Sequence, residues 1–167
     1  MKPIEIYFFR HGIALDREDP SASSDEVRPL TEEGIKKTRV AAEGLKRMEI
    51  PFDRIFTSPW LRAIQTASIL SEVLYLSPAQ ELPELAGNKT PADLLGALAK
   101  HHGKRTLLVG HEPLLSATVV HLLGGEWALD LKKSGCCAVQ ADTLPARKPA
   151  MLLWSLTSRQ LRWIGSS

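Results

Sequence analysis

The chain has 167 residues, 21 Lys and Arg against 19 Asp and Glu, which gives room for one ordinary domain and none of the basic excess that nucleic-acid or membrane surfaces require. Apolar residues are 44% and charged residues 24%, a composition that buries a core and excludes a disordered chain. The two cysteines, Cys136 and Cys137, are adjacent, so a disulfide framework is excluded and a reducing, cytoplasmic compartment is expected.

The N-terminal apolar stretch is broken by Glu5 and ended by Arg10, too short for a signal peptide or a membrane span. A single domain over residues 1–167, monomeric and soluble, is the expectation. Ile4 to Phe9 is short, β-branched and aromatic and runs into Arg10-His11-Gly12, which predicts a buried strand ending at a loop. Asp16 to Glu26 carries five acids and reads as a solvated surface loop without fixed structure. Thr31 can cap a helix whose apolar residues Ile35, Ala41, Ala42, Leu45 and Met48 turn one face inward until Pro51 stops it.

Asp53 to Thr57 predicts a second strand, followed by Ser58 as N-cap and Pro59 at the first turn of a helix reaching about Tyr75. On that helix Ser58, Arg62, Gln65 and Thr66 share a polar stripe, while Leu61, Ile64, Ala67, Leu70, Val73 and Leu74 lie elsewhere. Pro91 to Lys100 predicts a short helix and Arg105 to Val109 a third strand. Gly110-His111-Glu112-Pro113 then leads a helix to Leu123, ended by Gly124-Gly125. Cys136 to Ala141 and Met151 to Thr157 predict two further strands, and Arg159 to Ile164 an edge strand.

These elements give an α/β fold: a three-layer sandwich with a mostly parallel central sheet and helices on both faces. Ligands bind such sheets beyond the carboxyl ends of the strands. That rule brings together Arg10-His11, Ser58 to Arg62, and Gly110-His111. His101, His102 and His121 have no such company and read as a helix-end pair and a helix-face residue. Cys136 and Cys137 point to opposite faces of a strand, so they cannot share a metal.

Two arginines and two histidines with few acids among them suit an anion. Guanidinium groups match a phosphoryl group bidentately, and each charge-assisted hydrogen bond contributes about 1.5–3 kcal/mol. Neutral imidazole is a good nucleophile toward phosphorus, and neighbouring arginines disfavour its protonated form. His11 is the better placed of the two, because Gly12 beside it lets backbone and substrate approach closely. His111 is then the donor to a phosphoryl oxygen.

The segments FFRHG at Phe8 to Gly12, RPLTEEG, SPWLRAIQT and VGHEP resemble the histidine phosphatase superfamily. Within it the chain resembles the small SixA-type phosphohistidine phosphatases, which lack the helical insertions of phosphoglycerate mutases and acid phosphatases. The resemblance spans Ile4 to Leu123 and, more weakly, a strand at Lys133-Ser134-Gly135. It implies a phosphoglycerate-mutase-like fold and a phosphohistidine intermediate on His11. Arg10, Arg62, His111 and Gly12 would form the phosphate pocket, with no metal and no cofactor, and Arg28, which matches a recurrent Arg of the family ahead of the first helix, would either border that pocket or face solvent. Larger relatives carry a general acid in the stretch that maps to Leu82 to Leu85, which makes Glu84 the candidate, although their glycine-rich continuation is absent here. Glu112 is a second candidate and otherwise a helix-start carboxylate. The implied substrate is a phosphorylated protein such as a histidine phosphotransfer domain. The alternatives are a small phosphate ester on the same machinery, or a phosphoprotein-binding module without turnover.

Overall fold

The strand expected at the N-terminus forms as β1 (Ile4–Arg10), its β-branched and aromatic side chains buried alternately on two faces. The computed structural model describes residues 3–126 and 128–167. After β1 come α1 (Glu32–Arg47), β2 (Arg54–Thr57), α2 (Leu61–Val73), β3 (Gln80–Glu81) and a single 3₁₀ turn at Pro83–Leu85. The chain continues through α3 (Pro91–His101), β4 (Arg105–Gly110), α4 (Leu114–Leu123), β5 (Cys136–Ala141), β6 (Met151–Leu156) and α5 (Ser158–Ser166).

The six strands form one sheet in the order β3-β2-β4-β1-β5-β6. β3, β2, β4 and β1 run parallel, whereas β5 and β6 are antiparallel to their neighbours. Parallel strands need crossovers, and the helices that supply them cover both faces. One face buries Ile6, Phe8, Leu108, Cys137 and Val139 against Leu94 and Leu98 of α3 and Leu115 and Val119 of α4. The other buries Tyr7, Phe9, Leu107, Val109 and Cys136 against Ala41 and Leu45 of α1, Ala67 and Leu70 of α2, and Leu161 of α5. Each fully buried Leu or Phe in these layers contributes about 1.5–3 kcal/mol. The expected three-layer α/β sandwich is therefore present, and the two cysteines do face opposite layers.

Four local expectations are corrected. Arg159 to Ile164 forms the helix α5 and not an edge strand. Leu161, Trp163 and Arg162 alternate as a strand would, but Thr157 and Gln160 build a reciprocal capping box that starts a helix. Gly44 of α1 and Gly165 of α5 let the two helices meet backbone to backbone, since a Cβ on either would collide with the main chain of the opposite helix. Lys133-Ser134-Gly135 is a turn, with Ser134 in the left-handed region at φ 57°, and the strand begins only at Cys136. Ile35 does not turn inward; it is exposed, and α1 buries Gly34, Thr38, Ala41, Ala42, Gly44 and Leu45 instead.

The fourth concerns Ser58, which does not cap α2. That helix starts at Leu61 from an extended Trp60 with no side-chain cap. The Ser58 hydroxyl is used elsewhere, as described below.

Candidate functional site

The parallel register aligns the carboxyl ends of three strands. Arg10 stands opposite Gly110, and Phe9 and Thr57 both pair with Val109. The ladders extend one residue further, with His11 N–H donating to Gly110 (3.1 Å) and Ser58 N–H donating to Val109 (2.9 Å). His11, Ser58 and His111 are thereby fixed at one edge of the sheet, and α2 brings Arg62 back over it. The structure brings together Arg10, His11, Gly12, Arg62 and His111, drawn from three separate parts of the chain.

His11 is 6% exposed. Its Nδ1 lies 2.7 Å from the carbonyl of Gly12, which can only accept, so Nδ1 carries the proton and Nε2 the lone pair. Arg62 donates from Nε to that Nε2 at 3.2 Å. Burial is the main cause that lowers the His11 pKa to about 3, with Arg62 and Arg10 acting in the same direction and the Gly12 hydrogen bond opposing. Arginine charge is thus the lesser of the two reasons for a neutral ring.

The His111 ring centroid is 5.0 Å from that of His11 and 4.6 Å from that of Trp60. Its Nε2 meets Ser58 Oγ at 2.8 Å. Burial first, then the charges of His11, Arg62 and Arg10, push its pKa far down as well. Trp60 also carries the Arg62 guanidinium 4.9 Å from its ring centre, a cation–π contact that helps hold the guanidinium. Arg10 donates from Nη1 to the Leu131 carbonyl at 2.7 Å. Among the described residues, Arg10 Nε and His111 Nδ1 are buried nitrogens without a hydrogen-bond partner. In a cationic setting such atoms are suited to oxygens of a bound anion.

The turn carrying His11 is braced from below. Gly12 N–H donates to Thr66 Oγ1 (3.0 Å), whose hydroxyl donates to the Arg62 carbonyl (2.7 Å). Thr66 therefore couples the loop carrying His11 to the helix carrying Arg62. A Cβ on Gly12 would strike Thr38 Oγ1, and Thr38 is itself bound to Ser134 Oγ at 2.7 Å. Glycine at position 12 is required for close packing here. Gln65 on the same stripe accepts from Leu30 N–H at 2.7 Å.

Asp16 to Glu26 is not merely a solvated loop. A bridge between Ala14 and Leu30 closes its base, and Asp25 is half-buried beneath it. The Asp25 carboxylate takes Arg28 Nε and Nη2, both at 2.6 Å, and its backbone carbonyl accepts from Arg62 Nη1 at 2.6 Å. Arg28 also donates to the Leu15 carbonyl, which places it at the border of the cluster. Asp25 and Trp60 are the members that sequence reasoning missed. Trp60 lies inside the SPWLRAIQT segment, whereas nothing in the acidic run singles out Asp25 except its spacing of three from Arg28.

Glu84 lies half-buried on the 3₁₀ turn and makes no side-chain hydrogen bond or ion pair among the described residues. Three residues on, Gly87 packs against Trp60 and His111. Glu112 accepts from Ser116 N–H at 3.3 Å, and burial raises its pKa. Two surface grooves, one lined by Phe52, Arg54 and Tyr75 and one by Thr57, Ser68 and Glu81, contain no histidine. Among the described residues, no group of three His, Cys, Asp or Glu could hold a metal ion, and no helix is long and apolar enough to cross a membrane.

The profile of the histidine phosphatase superfamily (branch 1) matches residues 6–87. The phosphohistidine phosphatase SixA of Escherichia coli (strain K12) is 34% identical over 148 residues, covering 83% of this chain and 86% of SixA. The chain belongs to the histidine phosphatase superfamily. As a histidine phosphatase of the SixA type it is also 36% identical to an uncharacterized protein of Picosynechococcus sp. over 143 residues, 83% of this chain and 86% of the other. A solved structure of the protein histidine phosphatase SixA with tungstate superposes with a TM-score of 0.83 at 30% identity, over 95% of this chain and 99% of that one. The profile ends at Gly87, so His111 of this phosphatase lies outside the matched residues and is placed in the site by β4 alone.

Proposed function

We propose that this hydrolase removes phosphate from phosphohistidine on a protein, such as a histidine phosphotransfer domain, through a phosphohistidine on His11. The observation that carries this reading is the lone pair on His11 Nε2, 3.2 Å from Arg62 Nε and held there by the Gly12 carbonyl behind the ring. The tungstate in the related SixA structure is a tetrahedral oxyanion, the shape that the arginines and His111 here suit.

In the first step the Arg62 Nε–H gives up Nε2 and turns to a phosphoryl oxygen. The Nε2 lone pair attacks phosphorus, and the bond from phosphorus to the substrate imidazole breaks with its electron pair on that nitrogen. Solvent protonates the departing imidazole. In the second step water attacks the phosphoryl group on His11, a proton is lost to solvent, phosphate leaves, and the lone pair returns to Nε2. Arg10 and Arg62 balance the anion's charge, and His111 donates to an oxygen on which charge develops. An imidazole leaves without a strong positioned acid, whereas an alkoxide needs one. The unsupported Glu84 therefore favours the P–N substrate. No metal takes part in this scheme.

The deciding measurement compares initial rates on a phosphorylated phosphotransfer domain and on a panel of sugar and nucleotide phosphates. Faster turnover of the phosphorylated domain is expected. Equal or better turnover of the panel would establish a small-ester phosphatase instead, and retention of phosphopeptide without hydrolysis would establish a binding module.

A further inference from the structure

A neutral imidazole has one N–H, and which nitrogen holds it decides what His111 can do. Both nitrogens of this ring are buried, and they are not equivalent. Nε2 faces Ser58 Oγ at 2.8 Å, while Nδ1 has no partner among the described residues. Ser58 is fully buried, and its Oγ already accepts from Trp60 N–H at 3.2 Å. The hydroxyl has a single proton to give, and His111 Nε2 is the one other group within hydrogen-bond distance among the described residues.

Two arrangements are possible. If the Ser58 hydroxyl donates to Nε2, Ser58 is fully paired and the proton of the ring sits on Nδ1. If Nε2–H donates to Ser58, the hydroxyl proton has no acceptor, and Nδ1 is left as a bare buried lone pair. The second leaves two buried polar groups unsatisfied where the first leaves one, and buried polar groups are paired wherever the fold permits. A bare lone pair would also repel a phosphoryl oxygen, whereas an Nδ1–H meets it.

We infer that Ser58 is a positioning residue that fixes His111 as its Nδ1–H tautomer, making the unpartnered Nδ1 the donor to the phosphoryl group. This deepens the reading of His111 under the proposed function and rests on it. Ser58 touches no substrate; it acts through the ring. The same logic gives the two histidines one tautomer for opposite purposes. In His11 the Gly12 carbonyl holds the proton on Nδ1 so that Nε2 is free to attack. In His111 the Ser58 hydroxyl occupies Nε2 so that Nδ1 is free to donate. The device matters because burial among cations keeps His111 uncharged at neutral pH, so its donor comes from tautomer choice and not from a second proton.

The test is a long-range proton–nitrogen correlation spectrum of ¹⁵N-labelled protein near neutral pH, with the His111 signals assigned by their loss in His111→Gln. A protonated Nδ1 and a pyridine-like Nε2 in the parent are expected. A protonated Nε2 in the parent overturns the inference without any reference to activity. Ser58→Ala should then shift the ring toward the Nε2–H form and lower kcat on nitrophenyl phosphate by about tenfold or more, with KM changed less than about threefold. A Ser58→Ala protein whose backbone spectrum is that of the parent and whose His111 stays Nδ1–H also overturns it. Because the tautomer is read without substrate, a parent showing Nδ1–H but no preference for phosphohistidine would sink the proposed substrate and leave this inference standing.

Discussion

Asp25 reaches Arg62 twice, through its backbone carbonyl at 2.6 Å and through a carboxylate oxygen at 3.5 Å. An acidic loop thereby aims the guanidinium that meets His11. Arg62→Ala should raise KM and lower kcat together, with kcat/KM falling by orders of magnitude, because the group binds the phosphoryl oxygens in the ground state and more strongly as charge develops on them in the transition state. Asp25→Asn keeps the backbone contact and should cost only about tenfold or less. Steady-state kinetics on one substrate checks both, and an Asp25→Asn enzyme as impaired as Arg62→Ala would show that the carboxylate and not the carbonyl directs Arg62.

His11→Ala should abolish turnover in a protein that still folds. Brief exposure of the parent to labelled substrate should place an acid-labile, base-stable phosphate on His11 alone. Peptide mapping of the quenched enzyme reads the site, and label on His111 would reverse the two roles.

Acid should destabilise this protein earlier than its carboxylates predict. The His11 pKa falls to about 3 and that of His111 falls too, both from the ordinary value of 6.5. As pH drops below 6.5 the unfolded chain takes up protons that the folded rings refuse, so stability rises with pH through this window. The loss begins near 6.5 and continues to about 3, while the lowered Asp25 contributes only below the usual Asp range. Urea unfolding at about pH 7.5 and about pH 5 should show a smaller loss in His111→Asn than in the parent. An equal loss would mean that the ring is charged when folded.

Excess chelator should leave the rate unchanged, since every group invoked is a side chain of this chain. Loss of activity that a divalent ion restores would contradict the scheme.

Glu84 should matter only to poor leaving groups. Glu84→Gln should slow an alkyl phosphate severely while phosphohistidine and nitrophenyl phosphate stay within about tenfold of the parent. Equal slowing of all three would make Glu84 a binding or structural residue and remove the argument for a P–N substrate.

The central strands and the four residues at their ends were legible because short-range patterns dictate them, whereas the short edge strand β3 was not foreseen. Ile4 to Phe9 and Arg105 to Val109 are strand-like on both faces, and the rule about strand ends then locates Arg10, His11, Ser58 and His111. What was not legible depends on contacts distant in sequence. Asp25 gains its role only when α2 folds back 37 residues later. Ser58 reads as a helix cap until His111 arrives to engage its hydroxyl. The α5 segment alternates like a strand, but the Thr157 and Gln160 capping box starts a helix there and Gly44 and Gly165 let it pack closely on α1.

The position of β1 in the sheet has a kinetic corollary. It is paired along its length by β4 on one side and β5 on the other, with a buried layer above and below. Its amide hydrogens should therefore exchange with solvent only through global unfolding, while the ends of α5 and the Asp16 to Glu26 loop exchange through local opening. On that expectation His11 follows a strand that opens only with the whole molecule, while the loop whose Asp25 meets Arg62 opens locally. Substrate would thus meet a rigidly held His11 beside an Arg62 whose supporting loop is free to open.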